Sequence, residues 1–287
     1  MTHEPTTRYA LAALDMDGTL LNSDHLLTPF TRDALDRAAA AGKVIALCTG
    51  RCLSELWQTF REAPGIGYAI GENGGCLYDV KAGRVLYQAI IPGDAARAAL
   101  SLAGEYDLCV QCFIEGQSWM QYRGEAALAP YHVAEYVPVF DSGSKYDENV
   151  VQRALEHGRV EKINLYFADP AQKADFCRRV DGLGLNVVGS LGYGCELSPA
   201  GADKAEGLKR LCGLLDIPVA DTLAVGDGGN DLGLVRAAGL GVAMGNAADE
   251  VKAAADVLTD DCDHDGAARA VLRYMLGEDA QRTGCST

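Results

Sequence analysis

Two aspartates stand two positions apart in the run Leu14-Asp15-Met16-Asp17-Gly18-Thr19-Leu20, just after the apolar stretch Tyr9–Leu14. Side chains alternate along an extended chain, so both carboxylates are expected on one side where a strand ends. Carboxylates held that close repel each other unless a cation or a shared proton relieves them. Gly18 permits a tight turn, and Thr19 offers a hydroxyl. The lesser alternative for the run alone is an acidic turn after a strand, since strand-end carboxylates are common in α/β loops.

Three further runs shift that balance. Cys48-Thr49-Gly50-Arg51 brings a hydroxyl and a glycine that allows close backbone approach. Val225-Gly226-Asp227-Gly228-Gly229-Asn230-Asp231 adds two carboxylates and an amide, and Lys204 stands where a helix leading into that run begins. Taken singly, Lys204 reads as a solvated helix residue, Asn230-Asp231 as a helix N-cap and Thr49-Gly50 as a strand-to-helix turn. Together they form a set of hard oxygen ligands with one cation, which favours magnesium over zinc or copper. Such an ion would offset the carboxylate repulsion and hold a phosphate oxygen. Phosphoryl transfer depends mainly on positioning and on neutralising charge, which Lys204 and Thr49 would share. A carboxylate can attack phosphorus to give an aspartyl-phosphate.

These residues need elements that bring them together. Tyr9–Leu14 and Val44–Cys48 are short apolar runs of the kind buried on both faces of a sheet. Between them, Thr28 as N-cap and Pro29 at the first helical position predict a helix closed by Gly42, and Leu53–Arg61 predicts another. The rhythm returns with a helix over Ala205–Leu215, a strand Thr222–Val225, a helix Leu232–Ala238, a strand Gly241–Ala243 and a helix Ala248–Ala255. This alternation predicts an α/β fold with a Rossmann-like parallel sheet. Ligands of such sheets bind beyond the carboxyl ends of the strands, where Asp15, Asp17, Thr49, Asp227 and Asp231 would gather.

The middle of the chain has a different pattern. A hairpin Cys76–Tyr78/Val85–Ala89 turns at Gly83, and Pro92-Gly93 marks a break. Strands are expected at Leu108–Ile114, Ser118–Tyr122 and Val160–Phe167, with helices over Glu125–Glu135 and from Asp169-Pro170 to Gly182. Residues 92–194 thus read as an inserted α+β module, with 1–91 and 195–287 forming the core domain. The glycine-rich stretches Gly65–Gly71 and Gly182–Gly194 match no dinucleotide fingerprint and read as turns.

With 287 residues, 48% hydrophobic and 23% charged, the chain can build two ordinary domains. A net charge of -15 and no basic run beyond Arg178-Arg179 argue against nucleic acid or an anionic membrane as partner. An anionic small molecule held by a metal remains compatible. The polar Met1–Arg8 and the apolar stretch stopped by Asp15 make no secretory signal, so a cytoplasmic protein is expected. Cys109-x-x-Cys112 lies within a strand-like run and has no second pair to complete a zinc site. The cysteines therefore read as buried thiols, and the histidines (His3, His25, His132, His157, His264) share no ligand spacing.

At these residues the chain resembles the haloacid dehalogenase superfamily, specifically its Cof-type phosphatases. The resemblance rests on Asp15-Met16-Asp17-Gly18-Thr19, Thr49-Gly50-Arg51, Lys204 and Gly226-Asp227-Gly228-Gly229-Asn230-Asp231 in order. Gly71-Glu72-Asn73-Gly74-Gly75, Val242-Ala243-Met244-Gly245-Asn246-Ala247 and Asp265-Gly266 also fit, so it spans Tyr9 to Leu276. It implies Asp15 as nucleophile and Asp17 as general acid and base. Thr49 and Lys204 would bind the phosphoryl group, with Met16, Gly18, Gly50, Arg51 and Asn230 lining that site. Mg²⁺ would be held by Asp15, the Asp17 backbone carbonyl and Asp227, supported by Asn230 and Asp231. The inserted module would be the family's large α/β cap, which closes over the core and chooses the substrate. Sugar phosphates, flavin mononucleotide and pyridoxal phosphate all suit the family. One departure is Lys204-Ala205, where a glycine commonly follows the lysine.

A phosphomutase of phosphomannomutase type is the main alternative; it would need a second phosphate site in the cap, where Arg97, Arg123, Arg153, Arg159, Arg178 and Arg179 lie. A dehalogenase would leave Asp17, Asp227 and Asp231 unexplained. A non-catalytic phosphometabolite sensor would be expected to lack one of Asp15, Asp17, Lys204 or Asp227, and all four are present.

Overall fold

The computed structural model describes residues 8–190 and 192–278, which leaves His3 and most of Met1–Arg8 outside. The chain divides into two units, one of residues 1–50, 59–87 and 203–287, the other of 51–58 and 88–202.

The first unit carries strands β1 (Leu11–Leu14), β2 (Val44–Cys48), β3 (Tyr68–Gly71), β4 (Cys76–Asp79) and β5 (Arg84–Gln88). After six strands that belong to the second unit come β12 (Thr222–Gly226), β13 (Leu240–Ala243) and β14 (Val257–Leu258). The sheet order is β14-β13-β12-β1-β2-β3-β4-β5. Strands β14 through β3 run parallel, and β4 turns back antiparallel to β3. Leu-Ala-Ala-Leu in β1 is wholly buried, as continuous apolar runs in a two-sided sheet must be. Leu11, Ala13, Ala46, Cys48 and Ala224 pack against Leu208, Leu211 and Leu234 from two of the covering helices. Each fully buried leucine contributes about 1.5–3 kcal/mol relative to exposure.

The helix starts obey their sequence signals. Thr28 Oγ1 accepts from Thr31 N ahead of the helix Pro29–Ala40, and Asp203 accepts from Glu206 N ahead of Lys204–Leu215. Leu53–Arg61 is not one helix: a 3-10 turn at Leu53–Glu55 precedes Trp57–Glu62. Gly65–Gly71 is not all turn either, because Tyr68-Ala69-Ile70-Gly71 pairs with β2 as a short buried strand.

The second unit holds β6 (Leu108–Ile114), β7 (Gln117–Met120), β8 (Ser144–Tyr146), β9 (Lys162–Phe167), β10 (Leu185–Ser190) and β11 (Gly194–Pro199). Their order is β10-β11-β9-β6-β7-β8, antiparallel except for the β7–β8 pair. One face packs on helices, and its core includes Ala99, Ala154 and Phe176 from Gly93–Ala103, Val150–His157 and Pro170–Val180. The first two of those helices and β10 were not legible in the sequence, and β10 lies inside the glycine-rich stretch read as turns. The helix expected over Glu125–Glu135 stops at Leu128. Pro130 and a left-handed His132 break the rest of that span into the 3-10 turns Ala129–Tyr131 and Ala134–Tyr136.

Cys109 and Cys112 sit three apart on β6, so they face opposite sides of the sheet in different apolar clusters. Burial pushes both thiols up to about 12. No helix among the described residues is long and apolar enough to cross a membrane.

Candidate active site

Strand order assembles the site. β1 lies between β12 and β2, so the residues just beyond these three parallel strands, Asp15, Asp227 and Thr49, emerge at one sheet edge. That edge is also where the chain order reverses, the usual ligand position in such sheets. Asp15 N donates to Val225 O at 3.0 Å, and Thr49 N donates to Ile70 O at 2.9 Å. Asp15 and Thr49 are both buried.

Lys204 connects the segments. It is 1% exposed, and its Nζ donates to Asp15 Oδ1 and to Asp231 Oδ1, each at 2.6 Å. Burial works against its charge, but Asp15 and Asp231 outweigh that penalty and raise its pKa, so it stays protonated. Asp231 is fully occupied: its Oδ2 accepts from the backbone N–H groups of Asp227 and Gly228, both at 3.0 Å. This fixes the loop that presents Asp227. The alanine after Lys204 fits without disturbing the helix start.

One ligand atom each from Asp15, Asp227 and Asp231 lie within 4.8 Å of one another. Three carboxylates facing one ammonium leave net negative charge in a largely buried space. Burial, then the Asp231 charge, drives the Asp15 carboxyl well above its usual range, only partly opposed by Lys204. Asp227 is raised as well, first by burial, with Thr19 opposing. A divalent cation would reverse both shifts, and an all-oxygen donor set suits a hard ion. The residues therefore fit a metal of that class.

The Asp17 side chain is not in that cluster. Extended chain ends at Leu14, and Met16 O already accepts from Leu20 N and Leu21 N. Asp17 thus lies past a turn, and its side chain is 43% exposed with Oδ1 3.8 Å from His25 Nδ1. Simple alternation from Asp15 does not carry across that turn. Gly18 closes it with a φ of 79°, and a Cβ there would stand 2.6 Å from Asp227 Oδ2. Thr19 Oγ1 donates to Asp227 Oδ1 at 2.8 Å. Met16 is buried, and Asn230 is exposed. Arg51, third in the Thr49-Gly50-Arg51 run, falls in the second unit.

Two asparagines carried no role on sequence grounds. Asn246 Nδ2 donates to Gly18 O at 2.8 Å, while its Oδ1 accepts from Cys262 N at 3.0 Å. Asn73 Oδ1 accepts from Asn230 Nδ2 at 3.3 Å. Their only signal was membership in the family-like runs around Gly71 and Gly245.

Comparison with known proteins identifies the family. The family of haloacid dehalogenase-like hydrolases matches residues 12–271. The phosphatase YwpJ of Bacillus subtilis is 31% identical, covering 93% of this chain and 99% of its own. The 5-amino-6-(5-phospho-D-ribitylamino)uracil phosphatase YcsE of the same organism is 27% identical, covering 93% and 96%. A crystal structure of a haloacid dehalogenase-like hydrolase from Bacteroides thetaiotaomicron superposes with a TM-score of 0.81 at 28% identity, covering 92% and 99%. This chain belongs to the haloacid dehalogenase-like hydrolase family.

Proposed function

We propose that this protein is a magnesium-dependent phosphatase that releases phosphate from a small phosphorylated metabolite through an aspartyl-phosphate on Asp15. The observation that carries the reading is the buried Lys204 ammonium shared by Asp15 and Asp231 beside Asp227. In the first step an Asp15 carboxylate oxygen attacks phosphorus, and the bond from phosphorus to the ester oxygen breaks. Asp17 gives the leaving oxygen its proton, a role its exposed position suits. Asp17 then takes a proton from water, which attacks the phosphoryl group and frees Asp15 with release of inorganic phosphate. Lys204 and the Thr49 hydroxyl hold the phosphoryl oxygens throughout, with the Met16–Gly18 turn, Gly50 and Asn230 lining the pocket.

Asp15, the Asp17 carbonyl and Asp227 would hold Mg²⁺, with Asn230 and Asp231 supporting them. Bound there, the ion supplies charge neutralisation that strengthens as negative charge builds on the phosphoryl group. The second unit is read as the substrate-selecting cap. YcsE acts on a phosphorylated ribityl compound, which supports a small phosphorylated organic molecule as the substrate class. A mutase is less well supported, because four of the six arginines that could hold its second phosphate, Arg123, Arg153, Arg178 and Arg179, each face a carboxylate.

The test is phosphate release from a panel of sugar phosphates, flavin mononucleotide and pyridoxal phosphate, with magnesium and with chelator. Steady release without a bisphosphate activator is expected. Transfer to a second position of the same substrate, with no phosphate freed, would establish the mutase instead.

A further inference from the structure

The turn Glu72–Gly74 comes directly after β3 and touches three of the four segments that form the site. Its backbone is unusual: Glu72, Asn73 and Gly74 hold φ of 55°, 54° and 96° in succession. Left-handed backbone is uncommon outside glycine, and two consecutive cases persist only where the surroundings impose them. Both side chains are buried, Glu72 at 1% and Asn73 at 8% exposure.

Each residue of the turn meets a different partner. Asn73 N donates to Thr49 O at 3.0 Å, tying the turn to the strand end that presents the Thr49 hydroxyl. Asn73 Oδ1 lies 3.2 Å from the position a Gly50 Cβ would take. The same oxygen accepts from Asn230 Nδ2 at 3.3 Å, across 157 positions of sequence. Gly74 abuts the backbone of Asp203, where an added Cβ would stand 2.0 Å from Asp203 O. Asp203 caps the helix whose first residue is Lys204. A turn that served only to link β3 to β4 would require none of these contacts.

We propose that Asn73 is a positioning residue for phosphoryl transfer, holding the otherwise exposed Asn230 while its left-handed turn sets Thr49 and Lys204 in register. The proposal rests on the phosphatase reading above. Asn73 acts through Asn230 and Thr49. Asparagine suits the place because it tolerates the left-handed region better than other non-glycine residues and also supplies an acceptor.

Three variants separate side chain from backbone: Asn73→Gly, Asn73→Asp and Asn73→Ala. Each is assayed with p-nitrophenyl phosphate and magnesium for kcat, KM and inhibition by orthovanadate, alongside thermal unfolding. Asn73→Gly keeps the left-handed turn but lacks the acceptor. Its kcat should fall about 10²-fold, the scale of a small misplacement of reacting groups, with vanadate inhibition weakened in parallel and Tm within a few degrees. Asn73→Asp retains the acceptor oxygen and should recover most of the rate, while Asn73→Ala should lose both rate and stability. Wild-type kcat and vanadate inhibition in Asn73→Gly would overturn the proposal, as would an Asn73→Asp variant as slow as the glycine. Should the wild-type protein itself release no phosphate from any tested ester, the phosphatase reading fails first and this role falls with it.

Discussion

The Lys204 ammonium lies 2.6 Å from Asp15 Oδ1, in a place where both side chains are almost closed to solvent. A second carboxylate, Asp231, takes the same ammonium at the same distance. Burying such a group costs several kcal/mol per ion in desolvation, so stability alone is a weak reason for it. On the proposed phosphatase reading, its value is that the cation is already oriented when charge develops on a phosphoryl group, with no reorganisation left to supply.

Replacing that lysine tests the arrangement. Lys204→Met should abolish turnover and leave Asp15 and Asp231 facing each other uncompensated, at a cost of about 3–5 kcal/mol in stability. With the opposing ammonium gone, the raised Asp15 pKa rises further. A carboxyl with a folded-state pKa above its unfolded value binds more protons when folded, so its stability declines as pH rises. Thermal unfolding of Lys204→Met should therefore improve on acidification from neutral pH towards the ordinary carboxyl range. A pH-independent loss would mean the two carboxylates are not in conflict.

Metal dependence is expected from the convergence of Asp15, Asp227 and Asp231. Chelation should stop turnover, and magnesium should restore it better than zinc. Magnesium should also raise Tm, because an ion held by carboxylates that only the fold brings together would stabilise the folded state. Full activity in excess chelator would remove the metal from the mechanism.

Asp15 and Asp17 should separate cleanly by mutation. Asp15→Asn should leave no measurable turnover, since an amide is a poor nucleophile. Asp17→Asn should impair alkyl phosphates more than aryl ones, because only basic leaving groups need a proton; the loss should be of order 10²–10⁴-fold. Intact mass after acid quench should show a hydroxylamine-labile phosphate on Asp15 in the Asp17→Asn variant. An adduct on serine, threonine or cysteine would move the nucleophile elsewhere.

Gly18→Ala places a methyl group against Asp227 at a backbone φ that side chains resist. Asp227 should shift and release the Thr19 hydroxyl, raising the magnesium concentration needed for half-maximal rate. A magnesium titration of activity checks this directly, and an unchanged half-point would show that the turn adjusts without moving Asp227.

Glu55, in the second unit, provides an independent pH test. It is buried, Cys52 N donates to its Oε2 and Gln111 Nε2 to its Oε1, yet burial dominates and raises its pKa. The folded state therefore holds this proton to higher pH than the unfolded chain. Stability from the group is present at low pH and is lost as pH rises through the raised value. Relative to Glu55→Gln, wild-type Tm should decline between about pH 4.5 and neutrality. A constant difference across that range would refute the raised pKa.

Much of this protein was legible in its residues. Asp15, Thr49, Lys204 and Asp227 each stand at a local signal: a buried apolar run that stops, or a capped helix that starts. Such signals depend on spacing within one element, which sequence carries directly. The parallel sheet was implied by the alternation of those runs with helices. Partnerships across the chain were another matter. Asp231, rather than the Asp17 side chain, joins Asp15 and Asp227 because the chain turns at Met16 and Lys204 draws two distant carboxylates together. Asn73 meets Asn230, and Asn246 meets Gly18, only because strand order sets loops from far-apart segments side by side. Residues 51–58 likewise joined the second unit through pairings such as Ser54 N with Gly116 O. Periodicity specifies which face of an element is apolar; which element that face meets depends on long-range packing, and that is decided only in the folded chain.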